Sequence, residues 1–284
     1  MTDSVAAEDL PAPTAALKAS IGKGRLLLGA TAFKDAGIPN LGDTYRGQIL
    51  TNNGVRAAIV KDIPLRELAN ELMAATLATA LGLPTPPAFI VVAADNVLVT
   101  KFAPKADKVS FLFGSADLSS PSVAQIINPK LGPDFAALRR VVDALVKSGR
   151  LGNLYGFDAW SANIDRHPGN ILLAFNALPW LIDHGRCFTG QSWKATDLVA
   201  DRLCTSRLKA WLTPELSPPQ KAEYVKDVSA LVAQITKIDI RQLGTVNGLP
   251  ELYGDADFNA LVTFLCDRAG HTERIAADTL DLVI

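Results

Sequence analysis

The chain has 284 residues, 49% hydrophobic and 20% charged, enough to build one large domain or two modest lobes and incompatible with a disordered protein. A formal charge of −1 and a pI near 6.3 give no overall field to attract nucleic acid or anionic lipid. The three cysteines (Cys187, Cys204, Cys266) lack CxxC spacing and read as small core residues in a reducing compartment.

Residues 1–20, rich in Ala, Pro and Thr, read as a flexible lead-in, and Asp3, Glu8 and Asp9 are unlike the basic start of a signal peptide. No apolar run approaches the ~20 residues of a membrane span, so a soluble, cytoplasmic protein is expected. From residue 25 to about 103 the pattern is short strands around one helix. Residues 25–33 are strand-like. Residues 45–50 and 55–61 flank Asn52, Asn53 and Gly54, and Asn-Gly between apolar runs signals a hairpin. Pro64 and Gly82 bracket a helix whose stripe is Leu65, Leu68, Leu72 and Ala75. Residues 88–94 and 97–102 form a second predicted hairpin about Asp95 and Asn96.

Residues 104–132 read as a long irregular connection. Asp134 caps a predicted helix running to Ser148, and residues 153–162 continue as helix. Residues 171–175 and 180–183 read as two short strands. The remainder is helix-rich, including 220–235 and 257–269. The expected division is therefore a lead-in (1–20), a β-rich lobe with one helix (21–103) and an α-rich lobe (104–284), an α+β architecture.

Polar residues flank the two short strands: Asn163, Asp165, Arg166, His167 and Asn170 before the first, Asp183 ending the second, and His184 and Arg186 after it. A two-residue turn at Asn176 and Ala177 pairs Ile171 with Ile182, and sets Asn170 directly opposite Asp183. Directly opposed residues have Cβ atoms ~5 Å apart, so an amide oxygen and a carboxylate can share one cation. Mg²⁺ favours such hard oxygens, with substrate phosphates completing its shell. Asp165 lies five residues before Asn170, across the Pro168–Gly169 turn, within reach of a hydroxyl proton. Lys61 ends a strand and can meet phosphate oxygens, and Glu71 on the next helix can hold that lysine. A carboxylate base, two metal-holding groups and a cation are the requirements of phosphoryl transfer. Glu67, one turn earlier, competes with Glu71. Asp158 and Asn163 read as hydrogen-bonding supports of the loop, and Arg166 and His167 as its braces.

The sequence resembles the HipA-like kinases and, more distantly, the phosphatidylinositol kinases. The likeness rests on Asp158-x-Trp160-x-x-Asn163-x-Asp165-Arg166-His167-x-x-Asn170 and on Ile182-Asp183-His184-Gly185, with Asn70-Glu71 as weaker support. It implies a two-lobed protein-kinase-like fold that uses ATP and Mg²⁺. Asp165 is then the base, Asn170 and Asp183 bind metal, Lys61 contacts ATP phosphates and Glu71 positions Lys61. Thr100, Lys101, Phe102 and Ala103 become the hinge that receives adenine. The acceptor implied is a serine or threonine of a protein. Departures are Asp-His-Gly in place of Asp-Phe-Gly and no G-x-G-x-x-G loop; only Gly42 to Gly47 and the Asn53-Gly54 turn offer flexible backbone.

Other readings are a lipid or small-molecule kinase, a nucleotidyl transferase on the same fold, and an ATP-binding pseudokinase. A metallohydrolase using Asp165, His167, Asp183 and His184 is a further one, disfavoured by three histidines without HxH or HExxH spacing.

Overall fold

The computed structural model describes residues 20–35, 43–127, 134–174 and 178–282, so nearly all of the lead-in and the Asn176–Ala177 turn lie outside the described residues. The architecture is mixed α+β. Strands β1 (Gly22–Leu26), β2 (Thr31–Ala32), β3 (Asp43–Thr51), β4 (Gly54–Asp62), β5 (Ala88–Ala94), β6 (Lys105–Ala106) and β7 (Val109–Ala116) form one sheet. Its order is β1-β5-β7-β4-β3-β2, with β6 on β7. β1 pairs parallel to β5 and antiparallel to β3, so five strands close on themselves. Leu26, Ile49, Ala58, Val60, Val91 and Leu112 fill the interior, the inward half of each alternating strand.

The predicted first hairpin forms, with Thr51 paired to Gly54 at the turn and Thr44 to Lys61 near the other end. The predicted strand 25–33 is interrupted: Gly29 (φ +93°) turns the chain between β1 and β2. The second predicted hairpin does not form. After Ala94 the chain turns, with Val97 N–H donating to Ala94 O (2.8 Å), and the partner of β5 is β7. Thus the stretch read as an irregular connection contains a central strand, and the sheet extends to Ala116. Gly114 belongs there because a Cβ would stand 2.5 Å from Val91 Cγ2.

Helix α1 (Leu65–Ala80) is buried without interruption from residue 68 to 78, wider than its predicted stripe, as for a helix surrounded by protein. Its Leu68, Leu72, Met73 and Leu77 join the core of the helical half. That half contains α2 (Val123–Ile127), α3 (Phe135–Lys147), α4 (Leu151–Trp160), α5 (Leu208–Trp211), α6 (Pro218–Ile235), α7 (Ile240–Val246), α8 (Leu249–Tyr253), α9 (Asp255–Ala269) and α10 (Thr272–Thr279). Asp134 caps α3 as expected, accepting from Ala137 N–H at 2.9 Å. α4 is buried at every position but Asn153, and Gly156 gives it close approach to Leu231 and Val228 of α6.

The small hairpin β8 (Ile171–Leu173) and β9 (Pro179–Leu181) differs from the expected register by one residue. Ile171 pairs with Leu181, Leu172 with Trp180 and Leu173 with Pro179. Ala174 N–H donates to Leu178 O (3.3 Å), in the same register. Asn170 then lies against Ile182, whose N–H donates to its carbonyl (3.2 Å), and Asp183 falls one position beyond.

Candidate active site

The end of β4 delivers Lys61 between two carboxylates. Its Nζ lies 2.6 Å from Glu71 Oε1 and 3.0 Å from Asp183 Oδ1. The Phe113 ring, on the adjoining strand, stands 5.6 Å away. Glu71 is fully buried, and its second oxygen accepts the His184 N–H at 2.8 Å. Burial works against the Lys61 ammonium, but Asp183 and Glu71 outweigh it and raise its pKa above the ordinary lysine value. Burial raises the pKa of Glu71, opposed by Lys61. For Asp183, burial acts upward, yet Lys61 prevails and holds the carboxyl below its usual range. Glu67 is not the lysine's partner; it packs over Gly185, where a Cβ would meet its Cγ at 2.7 Å. Asp183 itself has φ +59°, a left-handed conformation that few non-glycine residues adopt.

The loop after α4 is organised around a buried guanidinium. Arg166, 0% exposed, donates from Nε and Nη2 to Asp158 at 3.0 Å each. Its Nη1 donates to Asn170 O (2.9 Å) and Ile182 O (2.7 Å), fastening the loop to both strands of the small hairpin. Asn163 donates to Asp158 Oδ1 (3.0 Å) and accepts from Asp165 N–H (3.0 Å), while Asn170 Nδ2 donates to Asp165 O (2.8 Å). The Trp211 indole donates to Arg166 O at 3.0 Å. His167 Nδ1 accepts from Gly169 N–H (3.0 Å). His184 packs edge-on against Phe157, and its Nδ1 lies 3.4 Å from Arg166 Nη2. The ring is buried and also lies against the Leu181 backbone carbonyl. Burial, then Arg166 and Lys61, push the His184 pKa well down.

Asp165 faces two guanidinium groups: Arg207 Nε lies 3.0 Å from Oδ1 and Arg186 Nε 3.5 Å from Oδ2. Arg186 was one of the motif's own residues; Arg207 carries no motif signal and reaches the site only through the fold.

Thr100, Lys101, Phe102 and Ala103 do not join this cluster. The N–H groups of Lys101, Phe102 and Ala103 all donate to the buried Asp62 carboxylate, at 2.6, 3.0 and 2.7 Å, and the Thr100 hydroxyl bonds that of Ser110 (2.7 Å). The Asn53-Gly54 turn is also remote. It lies seven residues along β4 from Lys61, about 23 Å at the usual strand rise, too far to cover a group bound there. Gly42 lies outside the described residues, and Gly47 is a strand position paired with Ala58. Among the described residues no group of three or more His, Cys, Asp and Glu is arranged to hold a metal, so the metallohydrolase reading finds no ligand set there. No helix among the described residues is long and apolar enough to cross a membrane.

A family model described as HipA-like kinase matches residues 58–239. No curated protein matches the sequence. Among solved structures, the chain is similar to the crystal structure of a Helicobacter pylori proinflammatory kinase, CtkA. The two are 14% identical with a TM-score of 0.46, over 83% of this chain and 94% of that one.

Proposed function

The chain belongs to the HipA-like kinase family and is a phosphotransferase, and from that premise we propose that it moves the γ-phosphoryl group of ATP to a hydroxyl acceptor, a serine or threonine of a protein. The observation that carries this reading is the Lys61 ammonium shared between Glu71 and Asp183, at 2.6 and 3.0 Å. Such a cation is pre-positioned for phosphate oxygens and cannot be lost by deprotonation at neutral pH.

In this reading the sheet, through Ala116, is one lobe and the helical remainder the other, with the nucleotide between them. The N–H groups of residues 101–103 are committed to Asp62, and those of Asp117 and Ser119 to Ala57 O and Asp117 Oδ1; we place the adenine beside Leu118 and Ser120, in the segment that follows β7. That segment runs beside the small hairpin, Leu173 N–H donating to Pro121 O at 3.0 Å.

Asn170 and Asp183 fit a hard cation. The Asn170 amide nitrogen is engaged with Asp165 O, which leaves its oxygen to offer, and the Asp183 carboxyl is kept ionised. Mg²⁺, bound by these two residues and by phosphate oxygens, would neutralise charge on the transferring group. Lys61 holds a phosphate oxygen. Asp165 accepts the acceptor's proton as its oxygen bonds to the γ-phosphorus and the bond to the bridging oxygen breaks, releasing ADP. Arg186 and Arg207 flank the place the hydroxyl must enter.

The acceptor is tested with γ-labelled ATP and Mg²⁺ on an array of serine- and threonine-containing peptides. Label on a subset of peptides is expected. ATP hydrolysis without label on any peptide would contradict a protein acceptor.

A further inference from the structure

Asn70 lies one residue before Glu71 on α1 and is fully buried. Its side chain makes every hydrogen bond an amide can make. Nδ2 donates to Gly185 O (3.0 Å) and Gly190 O (3.1 Å). Oδ1 accepts from the Trp193 indole (3.0 Å) and the Tyr253 hydroxyl (3.0 Å). Four bonds from one side chain thus join α1 to the segment after Asp183 and to helix α8.

Two neighbours on α1 reinforce the junction. Arg66, one turn earlier, lies over the rings of Trp193 (4.3 Å) and Tyr253 (5.3 Å) and pairs with Asp257 of α9. Glu71 holds the His184 N–H while pairing with Lys61. The segment that begins at Asp183 is therefore held at residues 184, 185, 190 and 193, each time by α1. A tilt of α1 away from Lys61 would break the buried Asn70 bonds together and leave their partners unsatisfied.

We infer that Asn70 is a positioning residue. It locks α1, the segment after Asp183 and the C-terminal helix α8 into one body, and so holds the Lys61–Glu71–Asp183 geometry. This rests on the phosphotransferase reading above, and it gives the C-terminal helices a function: they are the fixed backing against which α1 is seated.

Asn70→Asp is nearly isosteric. It keeps an oxygen for Trp193 and Tyr253 but turns a carboxylate oxygen toward the carbonyls of Gly185 and Gly190. Tyr253→Phe removes only one donor, on the α8 side. Both are compared with wild type in the full chain by thermal melting, by amide hydrogen exchange of residues 184–193, and by ATP calorimetry with and without Mg²⁺. In Asn70→Asp, exchange should quicken and the gain in ATP affinity from Mg²⁺ should fall about tenfold or more, while Mg²⁺-free affinity moves less than about twofold. Tyr253→Phe should show the same pattern at about threefold. The inference is overturned if either folded variant keeps the full Mg²⁺ gain, or if affinity falls equally with and without Mg²⁺, as general loosening would produce. A variant that does not fold leaves the decision to the other. Wild type that binds no ATP under either condition would instead contradict the phosphotransferase reading itself.

Discussion

Replacing Arg166 by methionine keeps the length and apolar stem of the side chain and removes its charge. Asp158, 2% exposed, then retains only the Asn163 amide as a side-chain partner, and the carbonyls of Asn170 and Ile182 lose their guanidinium donor. Removing one member of a buried ion pair costs about 3–5 kcal/mol, and a dry, unsatisfied carbonyl adds about 1–3 kcal/mol. These contributions overlap, so the expected loss is about 5 kcal/mol at neutral pH, a large share of the stability of an ordinary domain. The loss should depend on pH with a definite sign. Burial already raises the Asp158 pKa in the native protein, with Arg166 opposing, and without Arg166 it rises further. A carboxyl whose folded pKa is raised binds its proton more tightly when folded. The deficit therefore shrinks as pH falls toward the ordinary carboxylate range and grows as pH rises, by up to about 1.4 kcal/mol per pH unit. Urea denaturation followed by tryptophan fluorescence at pH 5.5 and 8.0 measures this. Adding Asp158→Leu should restore the charge-related part. A deficit below about 1.5 kcal/mol, or one equal at both pH values and unrelieved by Asp158→Leu, would refute the reasoning.

Three further outcomes are expected. Lys61→Met should lower kcat by about a hundredfold or more in a labelled-ATP assay, because it removes the phosphate-directed cation and leaves Glu71 buried without it. His184→Phe, which keeps a ring packed edge-on against Phe157, should cost less than about 1.5 kcal/mol at pH 8. Because the folded His184 pKa is depressed, wild type should lose stability as pH falls below about 6.5, and the variant should lack that component, as melting curves from pH 5 to 8 will show. Asp62→Ala should destabilise by about 3 kcal/mol by stranding three N–H groups, without raising ATP affinity in calorimetry; a gain in affinity would return the adenine to residues 101–103.

Much of the site was legible because its residues are close in sequence. Asp158, near the end of α4, is followed closely by Asn163, Arg166 and Asn170 of the next loop, and Lys61 and Glu71 are joined by a strand–helix turn whose Pro64 and apolar spacing are plain. Less legible were features decided by packing. β7 carries Ser110, Gly114 and Ser115, which look like loop residues in sequence; in the fold Ser110 bonds Thr100 and Gly114 makes room for Val91. The register of the small hairpin is one residue from that expected, a difference apolar alternation in three-residue strands does not specify. Arg207, Trp193, Tyr253 and Trp211 reach the site from distant segments, as the 183 positions between Asn70 and Tyr253 illustrate.

The proposed mechanism stands on phosphoryl transfer with Asp165 as the base. It is tested most directly by incubating wild type and Asp165→Ala with Mg²⁺ and either γ-³²P-ATP or α-³²P-ATP. Transfer or release of label from the γ position only is expected, lost in the variant while ATP binding persists. Covalent label from the α position, or undiminished γ transfer by Asp165→Ala, would contradict it.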